Sequence, residues 1–232
     1  MLRKLITVTL LACAVVLIGA APARAQQQTF NVTIGAFAPL GEDARAAGDV
    51  LVENRTFLFF DIPEFRGPTI GAEWLVPVNE FVELGAGVSF SRRTVPSVYL
   101  DFVDEDGFEI EQETRLRLIP LAFTARVVPF GQSQPVQPYV GAGLGVINWR
   151  YSEFGDFIDF GAGNVVFRDT FTASGTQTGP VILGGLRFAG DSAAAGFEVR
   201  YQKAQADLDD TFAGPVLDLG GWTYNFTVGA RF

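Results

Sequence analysis

Residues Gly221 to Phe232 read G-W-T-Y-N-F-T-V-G-A-R-F. Counting back by twos, Phe232, Ala230, Val228, Phe226, Tyr224 and Trp222 are all apolar, while Arg231, Gly229, Thr227, Asn225 and Thr223 are small or polar. A period of two places one set on each face of a β-strand. A strand of a soluble sandwich can alternate in the same way, so the rest of the chain has to decide which surroundings the apolar face meets.

The other end of the chain supplies the first constraint. Arg3 and Lys4 precede an apolar run from Leu5 to Ile18, and Ala23-Arg24-Ala25 follows as a cleavage site before Gln26. This is the pattern of a secretory signal. The run is shorter than the ~18–20 residues of a membrane span, and no stop-transfer charge cluster follows. Residues 1–25 are therefore expected to be a cleaved signal, and 26–232 a single domain beyond the inner membrane.

Composition removes several kinds of chemistry. The chain has no histidine, and its one cysteine, Cys13, lies in the leader. Ser-His-Asp and Cys-His catalysis, histidine metal sites and disulfides are therefore not expected. The formal charge is -9, and loss of Arg3, Lys4 and Arg24 would make it three units more negative. An acidic surface argues against nucleic acid as a partner. The loop acids Asp104, Asp106, Asp156 and Asp159 have no identifiable basic or nucleophilic companion, so no enzyme is expected. Asp104-Glu105-Asp106-Gly107 matches only a fragment of a calcium loop and lacks its later ligands. No metal or cofactor is assigned.

Beyond the leader there is no long apolar run and no convincing segment of 3.6-residue period. Eight alternating segments are found instead: Thr29–Pro39, Pro68–Pro77, Phe81–Arg92, Glu113–Pro129, Pro138–Ser152, Gly179–Ala189, Ala195–Ala204 and Gly221–Phe232. Short links such as Val78-Asn79-Glu80 alternate with long ones at Leu40–Arg66, Arg93–Gln112, Glu153–Thr178 and Gln205–Val216. The expected fold is all-β: an eight-stranded antiparallel up-and-down transmembrane β-barrel with short periplasmic turns and long extracellular loops. A soluble lipocalin-type barrel would point its apolar faces inward and would need more charge outside than these strands offer. Within the fourth segment, Leu116 and Leu118 differ in register from Leu121, Phe123, Ala125 and Val127. If all six face outward, a β-bulge at Ile119-Pro120 is required. Trp74, Phe90, Trp149, Trp222 and Tyr224 are expected in the aromatic girdles.

Inward positions carry Glu73, Glu83, Arg126, Arg187, Glu198 and Arg200 at similar heights above the short turns. In a narrow barrel such charges persist only if paired, so one ionic network filling the lower lumen is expected. Charge reversal at Glu83 is expected to destabilise the fold by crowding carboxylates. In the third long link, Phe154, Phe157, Ile158 and Phe160 are too apolar for a free loop. Either they pack where the first and third links extend the sheet above the membrane, or they form a mouth or contact surface for a hydrophobic molecule or partner.

The segments R-L-I-P-L-A-F-T-A-R (117–126), P-Y-V-G-A-G-L-G (138–145) and Y-N-F-T-V-G-A-R-F (224–232) resemble those of small eight-stranded outer-membrane barrels, the OmpA-like, OmpX-like and OmpW-like domains. The resemblance implies an outer-membrane location among lipid and lipopolysaccharide, and a path there past periplasmic chaperones to the assembly machinery. It implies an assembly signal in Tyr224, Phe226, Val228 and the terminal aromatic Phe232. It also implies a structural or surface-interaction role, or alternatively a narrow OmpW-like conduit for small hydrophobic solutes. The chain is expected to lack the peptidoglycan-binding module of full-length OmpA-type proteins.

Overall fold

A computed structural model describes residues 27–232; the expected signal lies outside them. Eight antiparallel strands close a ring: β1 (Thr29–Pro39), β2 (Gly67–Pro77), β3 (Val82–Val103), β4 (Glu109–Val127), β5 (Val136–Asp159), β6 (Val165–Ala189), β7 (Ala193–Gln202) and β8 (Gly221–Arg231). Each pairs with its neighbours in sequence, and β8 pairs with β1 from Thr29↔Arg231 to Pro39↔Gly221. Closure leaves no unpaired strand edge around the lower part of the ring, where all eight strands are paired on both sides, the condition for a sheet to cross hydrocarbon.

The exterior of the lower ring is apolar on every strand. Phe30, Ile34, Ile70, Leu84, Phe123, Leu144, Ile182, Phe197 and Phe226 all point out and are exposed. Asn31, Thr33, Glu73, Thr124 and Asn225 point in and are buried. A band this continuous is far larger than a soluble monomer exposes. It is the lipid-facing surface of a transmembrane barrel.

The strands fall into two length classes. β1, β2, β7 and β8 have 10 or 11 residues, the length of a tilted span. β3, β4, β5 and β6 have 19 to 25 and continue above the band as one tall wall. The second and third long links are therefore mostly sheet. The third is the tip of a hairpin whose register is unbroken from Val136↔Phe188 to Asp159↔Val165. It turns through Gly163 and Asn164, both at positive φ. The second is reduced to a turn in which Asp104 Oδ1 accepts from the Asp106 and Phe108 amides at 2.9 and 2.8 Å, so that carboxylate is spent on the turn itself.

The expected bulge at Ile119-Pro120 is absent. The pairing of β3 with β4 runs from Val88↔Leu121 to Ser91↔Leu118 in one register, passing over the two positions around the proline, which has no N–H to give. Leu116 and Leu118 are inward and buried, and Arg115 and Arg117 are outward. What changes at this height is the medium. Below, lipid is outside; above, water is outside and the apolar core is inside. Trp149 follows the same rule: it is 3% exposed and belongs to the inner core, not to a girdle.

That upper core is built from the two remaining links. The first forms a one-turn helix, α1 (Val50–Asn54), and a two-residue strand, Leu58–Phe59, paired to β3. The fourth forms a small hairpin, Gln205–Asp207 with Val216–Asp218. Leu51, Leu58, Phe65 and Leu217 from these links bury against Val95, Leu116, Trp149 and Tyr151 of the wall. The first link thus packs on the fourth and on the wall, part of which the third link supplies.

The described residues contain no cysteine, so single cysteines report facing directly. Leu116→Cys and Leu118→Cys are expected to resist a water-soluble maleimide, while Arg115→Cys and Arg117→Cys react. Reactivity at 116 and 118 would restore the bulge.

Candidate functional site in the lumen

Six charged side chains meet in the lower lumen, brought there by the strict alternation of β2, β3, β4, β6 and β7. Arg126 lies at the centre and is almost fully buried. Its Nη2 donates to both carboxylate oxygens of Glu73 at 2.5 Å and to Glu198 Oε2 at 2.8 Å. Its Nη1 stands 3.8 Å from Glu83 Oε1. Arg187 grips Glu83 through two bonds, Nη1 to Oε1 at 3.1 Å and Nη2 to Oε2 at 2.9 Å. Arg200 Nη2 donates to Glu73 Oε1 at 3.0 Å and to Glu198 Oε1 at 2.8 Å. All six expected residues are thus joined in one network. Three guanidinium groups face three carboxylates, so the cluster is formally neutral.

Two further members had no charge to reveal them. The Tyr139 hydroxyl donates to Glu198 Oε2 at 3.1 Å, and its ring lies 4.8 Å beneath the Arg126 guanidinium. Gln137 Oε1 accepts from Arg187 Nε at 2.8 Å, while its amide nitrogen donates to the carbonyls of Gln132 and Gln134 in the periplasmic turn, both at 2.7 Å. Both share the inward parity of Gly141, which is the signal that finds them. Glycines make the room. A Cβ at Gly185 would stand 2.5 Å from the Tyr139 hydroxyl, and one at Gly141 would stand 3.0 Å from Cγ of Arg126.

Glu83 sits between Arg126 and Arg187, so reversing its charge would crowd cations and not carboxylates. Neutralising it leaves Arg187 without its bidentate partner. Glu83→Gln is expected to cost about 3–5 kcal/mol, the range for breaking a buried pair, read from urea unfolding in lipid vesicles. Adding Arg187→Gln is expected to recover much of that loss, because no unpaired charge then remains.

Above the network, the first and fourth links are locked together. Arg45 donates from Nε and Nη2 to Asp49 at 2.8 and 2.9 Å and from Nη2 to the Asp218 carbonyl at 2.8 Å. The Asp218 amide donates to Asp49 Oδ2 at 2.6 Å, and Asp49 also caps α1 by accepting from the Leu51 amide at 3.0 Å. At the other end of α1, Asn54 Nδ2 and the Tyr151 hydroxyl both donate to Glu153 Oε1 at 2.6 Å. Burial raises the Glu153 carboxyl above its ordinary value, and these two donors offset only part of that rise. Burial and the neighbouring Glu153 also hold the Tyr151 hydroxyl well above its usual range.

A carboxyl raised on folding takes up a proton in the folded state first, so its contribution to stability is full below the unfolded value and fades as pH rises through the raised one. Docking of α1 is therefore expected to tighten on acidification from neutral pH. Hydrogen exchange of the α1 amides checks this, and Glu153→Gln is expected to make their protection insensitive to that change.

The remaining expected site residues separate. Phe157 and Ile158 are buried. Phe157 packs edge-on against Phe171 at 4.7 Å and lies 5.9 Å from Phe167. Phe154 and Phe160 are partly exposed: Phe154 carries the Arg168 guanidinium at 4.9 Å, and Phe160 meets Phe102 at 5.3 Å. The four therefore do not form one surface. Tyr224, Phe226 and Val228 project from the outer face of β8, and Phe232 closes the ring through amide–carbonyl bonds with Gln28 at 2.8 and 3.0 Å.

No protein-family model and no curated protein matches the chain. Similar solved structures include three small barrels. The amino-terminal β-barrel domain of Pseudomonas aeruginosa OprF is 15% identical, covering 89% of this chain and 100% of that one, at a TM-score of 0.42. The Yersinia pestis attachment invasion locus protein Ail is 12% identical, with 89% and 100% covered, at 0.46. Neisserial surface protein A is 14% identical, with 89% and 97% covered, at 0.49.

Proposed function

We propose that this chain is a non-enzymatic structural barrel of the outer membrane. In this reading it holds a rigid folded surface outside the membrane while its lumen stays closed to solutes. The observation that carries the reading is how little space the lumen leaves. Between the ionic network and the upper core, one void lined by Glu73, Arg200 and Gln202 holds about 30 Å³. Another, lined by Phe37, Leu118 and Leu219, holds about 20 Å³. Each has room for about one or two waters.

The packing of Phe157 and Ile158 into the extension favours this role over a conduit for hydrophobic solutes, which needs those side chains around an opening. The outward apolar band supports delivery to the outer membrane, with Tyr224, Phe226 and Val228 on the outer face of β8 read by the assembly machinery.

Purified protein in planar bilayers is expected to show no steady open channel. A large, persistent conductance, or slower uptake of hydrophobic compounds by cells lacking the protein, would replace the structural role with transport.

A further inference from the structure

The outer face of the wall carries a row of three arginines. Arg92 on β3 pairs directly with Arg117 on β4, which pairs directly with Arg150 on β5. Like charges placed side by side on one face of a sheet repel, yet among the described residues none of the three makes a salt bridge. Arg117 donates from Nη2 to Asn148 Oδ1 at 3.2 Å, but its buried Nε has no partner. Arg115, one outward position above Arg117, donates from Nε to Thr94 Oγ1 at 3.2 Å and has Glu113, at 3.8 Å, as its ionic partner. With Glu113 of β4 and Thr170 and Thr172 of β6, these arginines line a groove of about 500 Å³. A chain with 26 acids and 17 bases gathers four arginines here.

The row also has a defined height. Reading up the outer face of β3, Leu84, Ala86, Val88 and Phe90 come before Arg92. On β4, Val127, Ala125, Phe123, Leu121 and Ile119 come before Arg117. On β5, Val140, Ala142, Leu144, Val146 and Asn148 come before Arg150. On all three strands the arginine is the first charged outward residue above the apolar band. That is where acyl chains end and headgroup phosphates begin.

We propose that this groove binds the phosphates of lipid A in the outer leaflet, its acyl chains lying against the band below. The site rests on the membrane reading above. Guanidinium forks match phosphate oxygens in pairs, and an anion in the groove would remove the repulsion along the row. The threonine hydroxyls of β6 stand where the sugar of a phosphorylated glycolipid would lie.

The test uses the whole barrel in neutral phosphatidylcholine vesicles, with insertion scored separately by protease protection. Bisphosphorylated lipid A is expected to bind far more tightly than its dephosphorylated form, and the preference is expected to weaken with salt. Each of Arg92→Gln, Arg117→Gln and Arg150→Gln is expected to weaken binding about tenfold. The triple variant is expected to lose the preference while still inserting, with a higher unfolding midpoint in neutral lipid because the repulsion is gone. Equal binding of the two lipid A forms, or a triple variant that binds like wild type, would overturn the site. Inorganic phosphate binding as tightly as vesicle-borne lipid A would make it a free-phosphate site and overturn the lipid source. If the triple variant fails to insert, the exposed single variants Arg92→Gln and Arg150→Gln decide. Failure of wild type to insert would overturn the membrane reading and the site with it.

Discussion

A strand that leaves hydrocarbon and continues into water must exchange the roles of its two faces without changing its pleat. Below the boundary the outer face of β4 meets lipid with Phe123 and Leu121, while Thr124 and Arg126 point into the lumen. Above it the outer face carries Arg117 and Arg115, and Leu118 and Leu116 turn inward. The backbone register does not move; only the medium on each side does. Everything above the membrane depends on this exchange. An apolar inner face on a wall four strands wide needs a cover, and the flanking strands are too short to provide one.

The cover comes from the links attached to the short strands. The first link starts from β1 and the fourth ends at β8, both on the low side of the ring, so each lies over the low rim and faces the wall. Their contributions differ in kind. Leu51, Leu58, Phe65 and Leu217 bring apolar area, each worth roughly 1.5–3 kcal/mol when fully buried. Arg45, Asp49 and Asp218 bring direction, because their bonds fix one link against the other across 173 positions of sequence. Below the core, the ionic network adds little net stability, since charge attraction roughly offsets desolvation. Its effect is to penalise every arrangement in which one of the six charges lacks its partner.

This division explains which parts could be read from the sequence. In the lower half of all eight strands, alternation alone separates lipid-facing from lumen-facing residues, and it places Glu73, Glu83, Arg126, Arg187, Glu198 and Arg200 on the lumen side. The upper halves of β3 to β6 defeat the same reasoning. Their outer faces are polar and their inner faces apolar, so a rule of apolar outward residues invents a bulge at Pro120 and puts Trp149 in a girdle. The phenylalanines at 154–171 are visibly too apolar for a free loop, but neither face of the β5–β6 hairpin tip meets lipid, so alternation there does not say which of them turn inward. The Arg45–Asp49–Asp218 lock carries no period at all. It joins two links that become neighbours only once β8 has paired with β1.

The two fillings of the lumen also oppose opening in different ways. Moving α1 and its partner hairpin aside would expose the wall's apolar face to water and pull Asn54 from Glu153, leaving a buried carboxyl with one donor fewer. Moving Arg126 aside would leave Glu73 and Glu198 facing each other with Arg200 alone between them. Either motion is costly by itself, since each leaves buried groups without the partners described above. In the proposed closed barrel the two fillings act in series, one apolar and one ionic, against apolar and polar solutes alike. The surface left free to act is the outside: the tall wall with its row of arginines above the lipid boundary.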